Sequence, residues 1–204
     1  MPEYKEIRSA AVKELRVHDD GDGPVIAGYA AVFDSLSEEI FGFRERVLPG
    51  AFTNTLKGKP DVRALIDHDS SKILGRTTAG TLAIKEDDRG LAVRITPPDT
   101  TAGVDVLKSI RRGDIDQMSF AFQTVTDQWH TEDEEEIREL VEVRLFDVSV
   151  VTFPAYPDTS VSVRSNDPAI ALQSLVLHQR RMLADRKRRT RVHQQRAILE
   201  GMRR

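Results

Sequence analysis

The sequence predicts a mainly β protein (α+β class) with peripheral helices, in which an antiparallel barrel or sandwich precedes a basic helical tail. Short apolar runs bounded by Gly, Pro, Asn and Asp predict about seven or eight strands before residue 163. Only two stretches of that part have helical character, which puts helices at the edges of a β architecture. After Asp167 the apolar residues change to helical spacing and Lys and Arg become dense.

The first part of the chain predicts strands separated by tight turns. Residues 4–17 predict one strand or a pair of short strands before a turn rich in Asp and Gly. Residues 25–33 (VIAGYAAVF) predict a strand, and Gly28 within it indicates a bulge or a close backbone approach. Residues 43–58 predict a strand fragment followed by a short helix.

The middle of the chain alternates between strands and a helix. Residues 62–69 (VRALIDHD) predict a buried strand with His68 at its end, between two aspartates. Residues 81–96 predict a hairpin around an Asp/Gly turn. Residues 101–112 place apolar side chains at three-residue steps, which predicts an amphipathic helix closed by Gly113.

One serine stands out in the next predicted strand, within 113–122 (GDIDQMSFAF). Ser119 lies between Met118 and Phe120, so it points to the face opposite these two apolar side chains. A serine on a strand is usually a polar residue with an ordinary hydrogen bond. A chemical role for Ser119 therefore depends on partners from elsewhere in the chain.

The last part of the predicted body contains an acidic stretch and an unusual carboxylate. Residues 128–139 are rich in Asp and Glu and predict a solvated, mobile hairpin loop. Residues 141–153 predict the most apolar strand, with Asp147 inside it, and residues 160–164 a last short strand. A buried carboxylate needs a partner. The structural alternative to a catalytic role is an ion pair with Arg144 or Arg76.

Composition excludes several kinds of chemistry. Because the chain has no cysteine, disulfides, thiolate metal sites and a cysteine nucleophile are excluded. No histidine pair at metal-ligand spacing and no phosphate-binding glycine loop is present, so we expect neither a metal nor a cofactor. The first residues contain no apolar run, which predicts neither a secretory signal nor a membrane span, and hence a cytoplasmic protein.

Charge divides the chain into two parts. Residues 164–204 contain eleven Lys/Arg and three Asp/Glu, a net charge of +8, whereas residues 1–163 carry −11. We therefore predict a body, 1–163, and a basic helical tail, 164–204. Docking of the tail to a protein, through its charge on an acidic surface or by packing against other helices, is favoured over nucleic-acid binding, because the helical period persists and no aromatic residue follows Tyr156.

The residues of a serine hydrolase are present, although their spacing alone does not prove it. A serine hydroxyl becomes a good nucleophile when a base accepts its proton and a third group orients that base. The body has three histidines, His18, His68 and His130, and His68 is the best placed because it ends a strand. Ser119, His68 and Asp147 are thus the candidate catalytic residues.

Six separated blocks of the sequence resemble, in the same order, the serine prohead proteases of tailed bacteriophages. The resemblance covers roughly residues 5–163, and its blocks are GYAAVFDS (28–35), VLPGAFTNTLK (47–57), ALIDHDSSKILGR (64–76), DDRGLAV (87–93), IRRGDIDQMSFAF (110–122) and LFDVSVVTFPAYPDTSV (145–161). It implies a barrel-like fold of mainly antiparallel strands similar to that of the herpesvirus assembly proteases. It also implies an endopeptidase that cuts scaffold and capsid precursors inside the immature capsid, and often itself.

The resemblance assigns roles to the same three residues. The histidine of the family's His-Asp block matches His68, and the serine of its Met-Ser-aromatic block matches Ser119. The family usually has glutamate before Val-Ser-Val-Val, where this sequence has the shorter Asp147, and the herpesvirus enzymes use a second histidine as the third residue. The implied roles are nucleophile for Ser119, general base and acid for His68, and orienting carboxylate for Asp147.

Partners and location follow from the same resemblance. We expect the phage scaffold and major capsid protein as substrates, no membrane, and nucleic acid only through the basic tail, in the host cytoplasm inside the assembling prohead. Homo-oligomerisation stays open. The alternative function is a catalytically idle, scaffold-type capsid assembly protein.

Overall fold

A computed structural model describes residues 5–9, 15–19, 21, 23–40 and 42–153. These residues form ten strands, two α-helices and one short 3₁₀ helix at Thr77–Ala79. The strands are β1 Glu6–Ser9, β2 Arg16–Asp19, β3 Pro24–Val32, β4 Phe43–Val47, β5 Arg63–Ile66, β6 Asp69–Arg76, β7 Leu82–Glu86, β8 Gly90–Ile95, β9 Gln117–Glu132 and β10 Glu135–Val151; the helices are α1 Thr53–Lys57 and α2 Thr101–Arg112. The predicted tail, 164–204, and the predicted strand 160–164 lie outside the described residues.

The strands are arranged in two sheets. The larger sheet has the order β1-β9-β10-β5-β6, with β4 also paired to β10, and the smaller has the order β2-β3-β8-β7. β9 and β10 form one long antiparallel hairpin, and β10 pairs in parallel with β4 along its first half and with β5 along its second half.

The mainly β class with few helices is confirmed, and the barrel needs a correction. Among the described strands, one isolated parallel bridge between Phe33, just after β3, and Val47 of β4 connects the two sheets, and no continuous pairing of edge strands closes them into a barrel. Closure would require an edge strand of one sheet to hydrogen-bond an edge strand of the other. The pairing is also not wholly antiparallel, because crossover connections bring β4 and β5 back beside β10 in the parallel direction.

One apolar core lies between the two sheets. Phe120 and Phe122 of β9 stack with ring centroids 5.0 Å apart, and Phe52 meets the edge of Phe120 at 5.5 Å. The smaller sheet contributes Ile26 and Ile95, both fully buried. This packing fixes one face of β9 against the core and leaves its other face for the polar residues described below.

Two glycines are required by the fold. Gly90 begins β8 where a Cβ atom would lie 2.1 Å from the Ala31 carbonyl oxygen, so only glycine fits. Gly113 ends α2 in the left-handed region at φ 83°, which confirms the predicted helix end. The predicted bulge in β3 is present, but the register shifts between Tyr29 and Ala31 and not at Gly28.

The acidic stretch 128–139 is ordered strand and not the mobile loop that its charge predicts. β9 and β10 continue through it and reverse at Asp133 and Glu134, which have positive φ values of 47° and 70°. Arg46 of β4 donates to Glu139 at 2.9 Å and pairs with Glu132 at 3.1 Å. Arg46 from the distant strand β4 therefore offsets part of the negative charge of the acidic hairpin.

Candidate active site

Ser119 lies in the first half of β9, in the centre of the larger sheet. Its neighbours Met118 and Phe120 are 1% and 2% exposed and belong to the core. The Ser119 side chain lies on the other face and is itself 0% exposed. It is flanked by Ser149 of β10 on one side and by Ser9 of β1 on the other.

His68 is held in a tight turn between β5 and β6. Asp67 and His68 both adopt the left-handed region, with φ values of 49° and 57°, which is uncommon for residues other than glycine. The Asp67 carboxylate accepts hydrogen bonds from the Thr152 backbone N–H at 2.8 Å and from its hydroxyl at 3.0 Å. The backbone N–H of His68 donates a hydrogen bond to Ser149 Oγ at 3.2 Å. These bonds offset the conformational cost of the turn and aim the imidazole across the sheet.

Asp147 and Ser149 come from the second half of β10 and share one face of it. A register shift between Leu145 and Asp147 places the intervening Phe146 in a bulge. Bulges re-aim side chains, and they are frequent beside active sites. Asp147 lies opposite Ala121 of β9 and is only 3% exposed.

The structure brings the three sequence-predicted residues into one hydrogen-bonded chain. His68 Nε2 lies 2.7 Å from Ser119 Oγ, and His68 Nδ1 lies 2.5 Å from Asp147 Oδ1. Because Nδ1 faces a carboxylate, the neutral ring carries its proton there, and the Nε2 lone pair faces the serine hydroxyl. This arrangement can transfer a proton from Ser119 to His68 while Asp147 stabilises the resulting imidazolium.

The electrostatics of Asp147 favour its ionised form. Burial opposes ionisation, but the hydrogen bond from His68, the positive charge of the imidazole when it is protonated and the nearby Lys5 ammonium outweigh burial and lower the Asp147 pKa. Lys5 Nζ lies 2.5 Å from Asp147 Oδ2. Both carboxylate oxygens of Asp147 therefore have a charged or hydrogen-bonding partner.

The cation beside Asp147 is not one of the two arginines named as its structural alternatives. The Arg76 guanidinium instead contacts Asp61 at 2.6 Å, and the Arg144 guanidinium lies over the Phe146 ring at 5.4 Å. Lys5 is 142 residues away from Asp147 in the sequence, and no pattern in the sequence links the two.

Ser149 is a site residue that the sequence reasoning missed. Its hydroxyl lies 3.2 Å from His68 Nδ1 and donates to Asp147 Oδ1 at 3.3 Å. It is 0% exposed. Its position two residues after Asp147 on the same strand would have placed it on the same face.

The two other histidines of the body lie elsewhere. His18 is in β2 of the smaller sheet, and His130 is in the β9–β10 hairpin, where its Nε2 lies 3.3 Å from the Arg46 guanidinium. Within the described ranges, no group of three or more His, Cys, Asp or Glu side chains is arranged to hold a metal ion. In the same ranges, no helix is long and apolar enough to cross a membrane.

A cleft of about 620 Å³ opens beside the site. Its lining includes Lys5, His68 and Asp147, and further residues from α1, β5 and β10. Ser119 is not among the described residues that line it. The cleft therefore reaches the histidine and the carboxylate but stops short of the serine.

The chain is similar to known proteins in sequence and in fold. The sequence model described as caudovirus prohead serine protease matches residues 11–173. Among solved structures, the bacteriophage T4 capsid assembly protease is similar in fold, with a TM-score of 0.50 and 10% sequence identity over 72% of this chain and 98% of that one. A search of the curated proteins finds no match.

Proposed function

The chain belongs to the caudovirus prohead serine protease family and is a serine protease of phage capsid maturation, and we propose that Ser119, His68 and Asp147 are its catalytic residues. The observation that carries this proposal is the continuous chain of two hydrogen bonds, 2.7 Å from Ser119 Oγ to His68 Nε2 and 2.5 Å from His68 Nδ1 to Asp147 Oδ1. It supplies a nucleophile, a base and an orienting carboxylate in the order that acyl transfer requires.

The reaction begins at Ser119. Its Oγ attacks the carbonyl carbon of the scissile peptide bond, and its proton passes to His68 Nε2. The tetrahedral intermediate then collapses, the C–N bond breaks, and His68 returns the proton to the departing amine. Water repeats the sequence on the acyl-enzyme: it gives a proton to His68, and Ser119 leaves with that proton restored. Asp147 keeps its negative charge throughout and stabilises the imidazolium formed in each half of the reaction.

The substrates that we propose are the scaffold and major capsid protein precursors of the phage, and the protease itself. Family membership supports capsid-related protein substrates in general. The reaction would take place in the host cytoplasm, inside the assembling prohead. No cofactor enters the mechanism, since every proton transfer uses a side chain of the chain itself.

Substitution of the nucleophile tests the proposal. Ser119→Ala should lower kcat/KM by about 10⁴- to 10⁶-fold, because no other group replaces the Oγ attack. The variant and the wild type are co-expressed with the cognate scaffold and capsid precursors, and the termini of all three proteins are determined by mass spectrometry. Precursors should remain full-length with Ser119→Ala.

Two controls make the result decisive. Circular dichroism and thermal unfolding establish that Ser119→Ala is folded, and a fluorophosphonate probe should label the wild type but not the variant. Normal processing by Ser119→Ala would overturn the assignment of the nucleophile. A wild type that neither cleaves nor labels would favour the idle assembly protein instead.

A further inference from the structure

Strand β1 covers the proposed nucleophile. β1 pairs antiparallel with the edge of β9 that lies away from β10, and Ser9 stands directly opposite Ser119. Ser119 is 0% exposed, and the adjacent cleft reaches His68 and Asp147 but not Ser119. A substrate therefore cannot bring its scissile carbonyl to Ser119 Oγ while β1 is in place.

β1 also engages the reacting groups themselves. Ser119 Oγ donates a hydrogen bond to the Arg8 backbone carbonyl at 2.8 Å, although the same hydroxyl lies 2.7 Å from His68 Nε2. A hydroxyl has one proton, so the Arg8 carbonyl competes with the base for it. The residue just before β1, Lys5, places its ammonium 2.5 Å from Asp147 Oδ2, and a protonated His68 would have to share that carboxylate. Both contacts oppose the first step of the reaction.

A buried cluster of charges fixes β1 in this position. Arg8 contacts Glu45 of β4 at 2.7 Å, and Glu6 contacts Arg138 of β10 at 2.7 Å. Arg138 also reaches Glu45 at 3.0 Å, which closes the cluster. Buried ion pairs of this kind are better suited to fixing one register than to adding stability.

We propose that the substrate binds as an extended strand on the β9 edge in place of β1, so that β1 is a displaceable occupant of the peptide-binding surface. This inference rests on the proposed function and names how the same site takes its substrate. The backbone N–H and C=O groups that now pair with β1 would pair with the incoming peptide, as sheet edges do when they bind extended chains. The peptide carbonyl that takes the place of the Arg8 carbonyl would then lie beside Ser119 Oγ.

A disulfide between β1 and β9 tests the exchange directly. Ile7 and Ala121 are directly opposite, at about the 4.5–5.5 Å Cα separation of an antiparallel pair, which suits a disulfide. Because the chain has no cysteine of its own, Ile7→Cys/Ala121→Cys would carry the only thiol pair. Fluorophosphonate labelling of Ser119 and cleavage of the capsid precursor are measured for the oxidised protein and again after reduction with dithiothreitol.

The oxidised double variant should label and cleave at least about tenfold more slowly than the reduced one, because the tether removes the open state. The single variant Ala121→Cys gives the baseline for a thiol near the site. Wild-type protein with and without dithiothreitol controls for the reductant. Equal rates for the oxidised and reduced forms would contradict the strand exchange. They would not contradict the assignment of Ser119, His68 and Asp147 as catalytic residues.

A second variant tests the strand exchange if the double-cysteine protein does not fold. Glu6→Lys puts a cation against Arg8 and Arg138 and should expel β1, so its labelling should be faster than that of the wild type. A folded Glu6→Lys protein that labels no faster would contradict the inference. If neither wild type nor Glu6→Lys labels or cleaves, the proposed function itself fails, and the strand exchange fails with it.

Discussion

Asp147 reaches His68 without the additional methylene of the glutamate that is usual in this family. The bulge at Phe146 turns Asp147 toward the imidazole, and the left-handed turn at His68 brings the ring forward over the sheet. The distance from Asp147 Oδ1 to His68 Nδ1 is 2.5 Å. An aspartate is therefore long enough at this position of β10 to contact His68.

The charge of Asp147 should matter more than its hydrogen bond alone. Asp147→Asn should lower kcat by about 10⁴-fold with a much smaller change in KM, because the imidazolium loses its counter-charge and the tautomer of His68 is no longer fixed. Asp147→Glu retains the charge and should lose far less. Steady-state kinetics on a fluorogenic peptide that contains the cleavage site measures both variants.

Circular dichroism before the assay excludes an unfolded Asp147→Asn protein as the cause of the loss. A kcat equal to that of the wild type would remove Asp147 from the mechanism. Equal losses for the Asn and Glu variants would mean that side-chain length, and not charge, determines the contribution of this residue.

Short elements with local patterning could be predicted from the sequence, whereas elements stabilised by distant partners could not. The hairpin of β7 and β8 and the helix α2 carry their own turn and capping residues, and both are confirmed. The acidic hairpin was predicted wrongly as a loop, because Arg44 and Arg46, which pair with its glutamates, come from β4. The turn at Asp67 and His68 contains no glycine, so nothing local indicated its left-handed backbone.

The charge cluster of β1 should make the fold sensitive to acid. Burial opposes the ionisation of Glu6, but the hydrogen bond from Arg138 and the charges of Arg8 and Arg138 outweigh it and lower the Glu6 pKa below its usual 4.5. A carboxyl group whose pKa is lower in the folded state contributes stability that is fully present above the unfolded-state pKa. That stability is lost as the pH falls through the folded-state value.

Glu6→Gln isolates this contribution. At pH 7 the variant should be less stable than the wild type by roughly 1–3 kcal/mol, since a charge-assisted bond to a buried arginine is weakened. The difference should shrink as the pH falls below 4.5 and through the lower folded-state pKa of Glu6, where the wild-type carboxyl group also becomes neutral. Thermal unfolding between about pH 3 and pH 7 measures both proteins, and a difference that does not vary with pH would contradict the assignment to Glu6 ionisation.

At the scale of the molecule, the candidate site is assembled from three strands and a turn that come from three separate parts of the sequence. β9 supplies Ser119, the turn between β5 and β6 supplies His68, β10 supplies Asp147, and β1 covers them. Residue types and the family resemblance were enough to predict Ser119, His68 and Asp147 as the candidate catalytic residues. The position of β1 beside Ser119 could not be predicted. β1 has no motif, and it reaches the site only by pairing with β9, more than 100 residues later in the sequence. The division into two open sheets likewise depends on long-range parallel pairing that no local pattern encodes.

The charge division of the chain supports a docking role for the basic tail, which lies outside the described residues. Residues 164–204 carry +8 against −11 for 1–163, and Arg186–Arg189 are four consecutive basic residues. If the tail docks the protease to acidic scaffold surfaces, changing these four residues to glutamine should reduce the number of protease copies per prohead. Peptide cleavage by the body should be unchanged, because the proposed catalytic residues all lie before residue 163.

The matched control replaces the three arginines of that run with lysine, which keeps the charge, and should package normally. Association of the isolated tail with purified scaffold protein should weaken at least about tenfold between low salt and 0.5 M salt, because the Debye length falls to a few ångströms. Sedimentation or fluorescence anisotropy measures the association, and quantitative mass spectrometry of proheads counts the protease. Salt-insensitive binding, or normal packaging of the glutamine variant, would show that apolar contacts or another segment hold the protease in the particle.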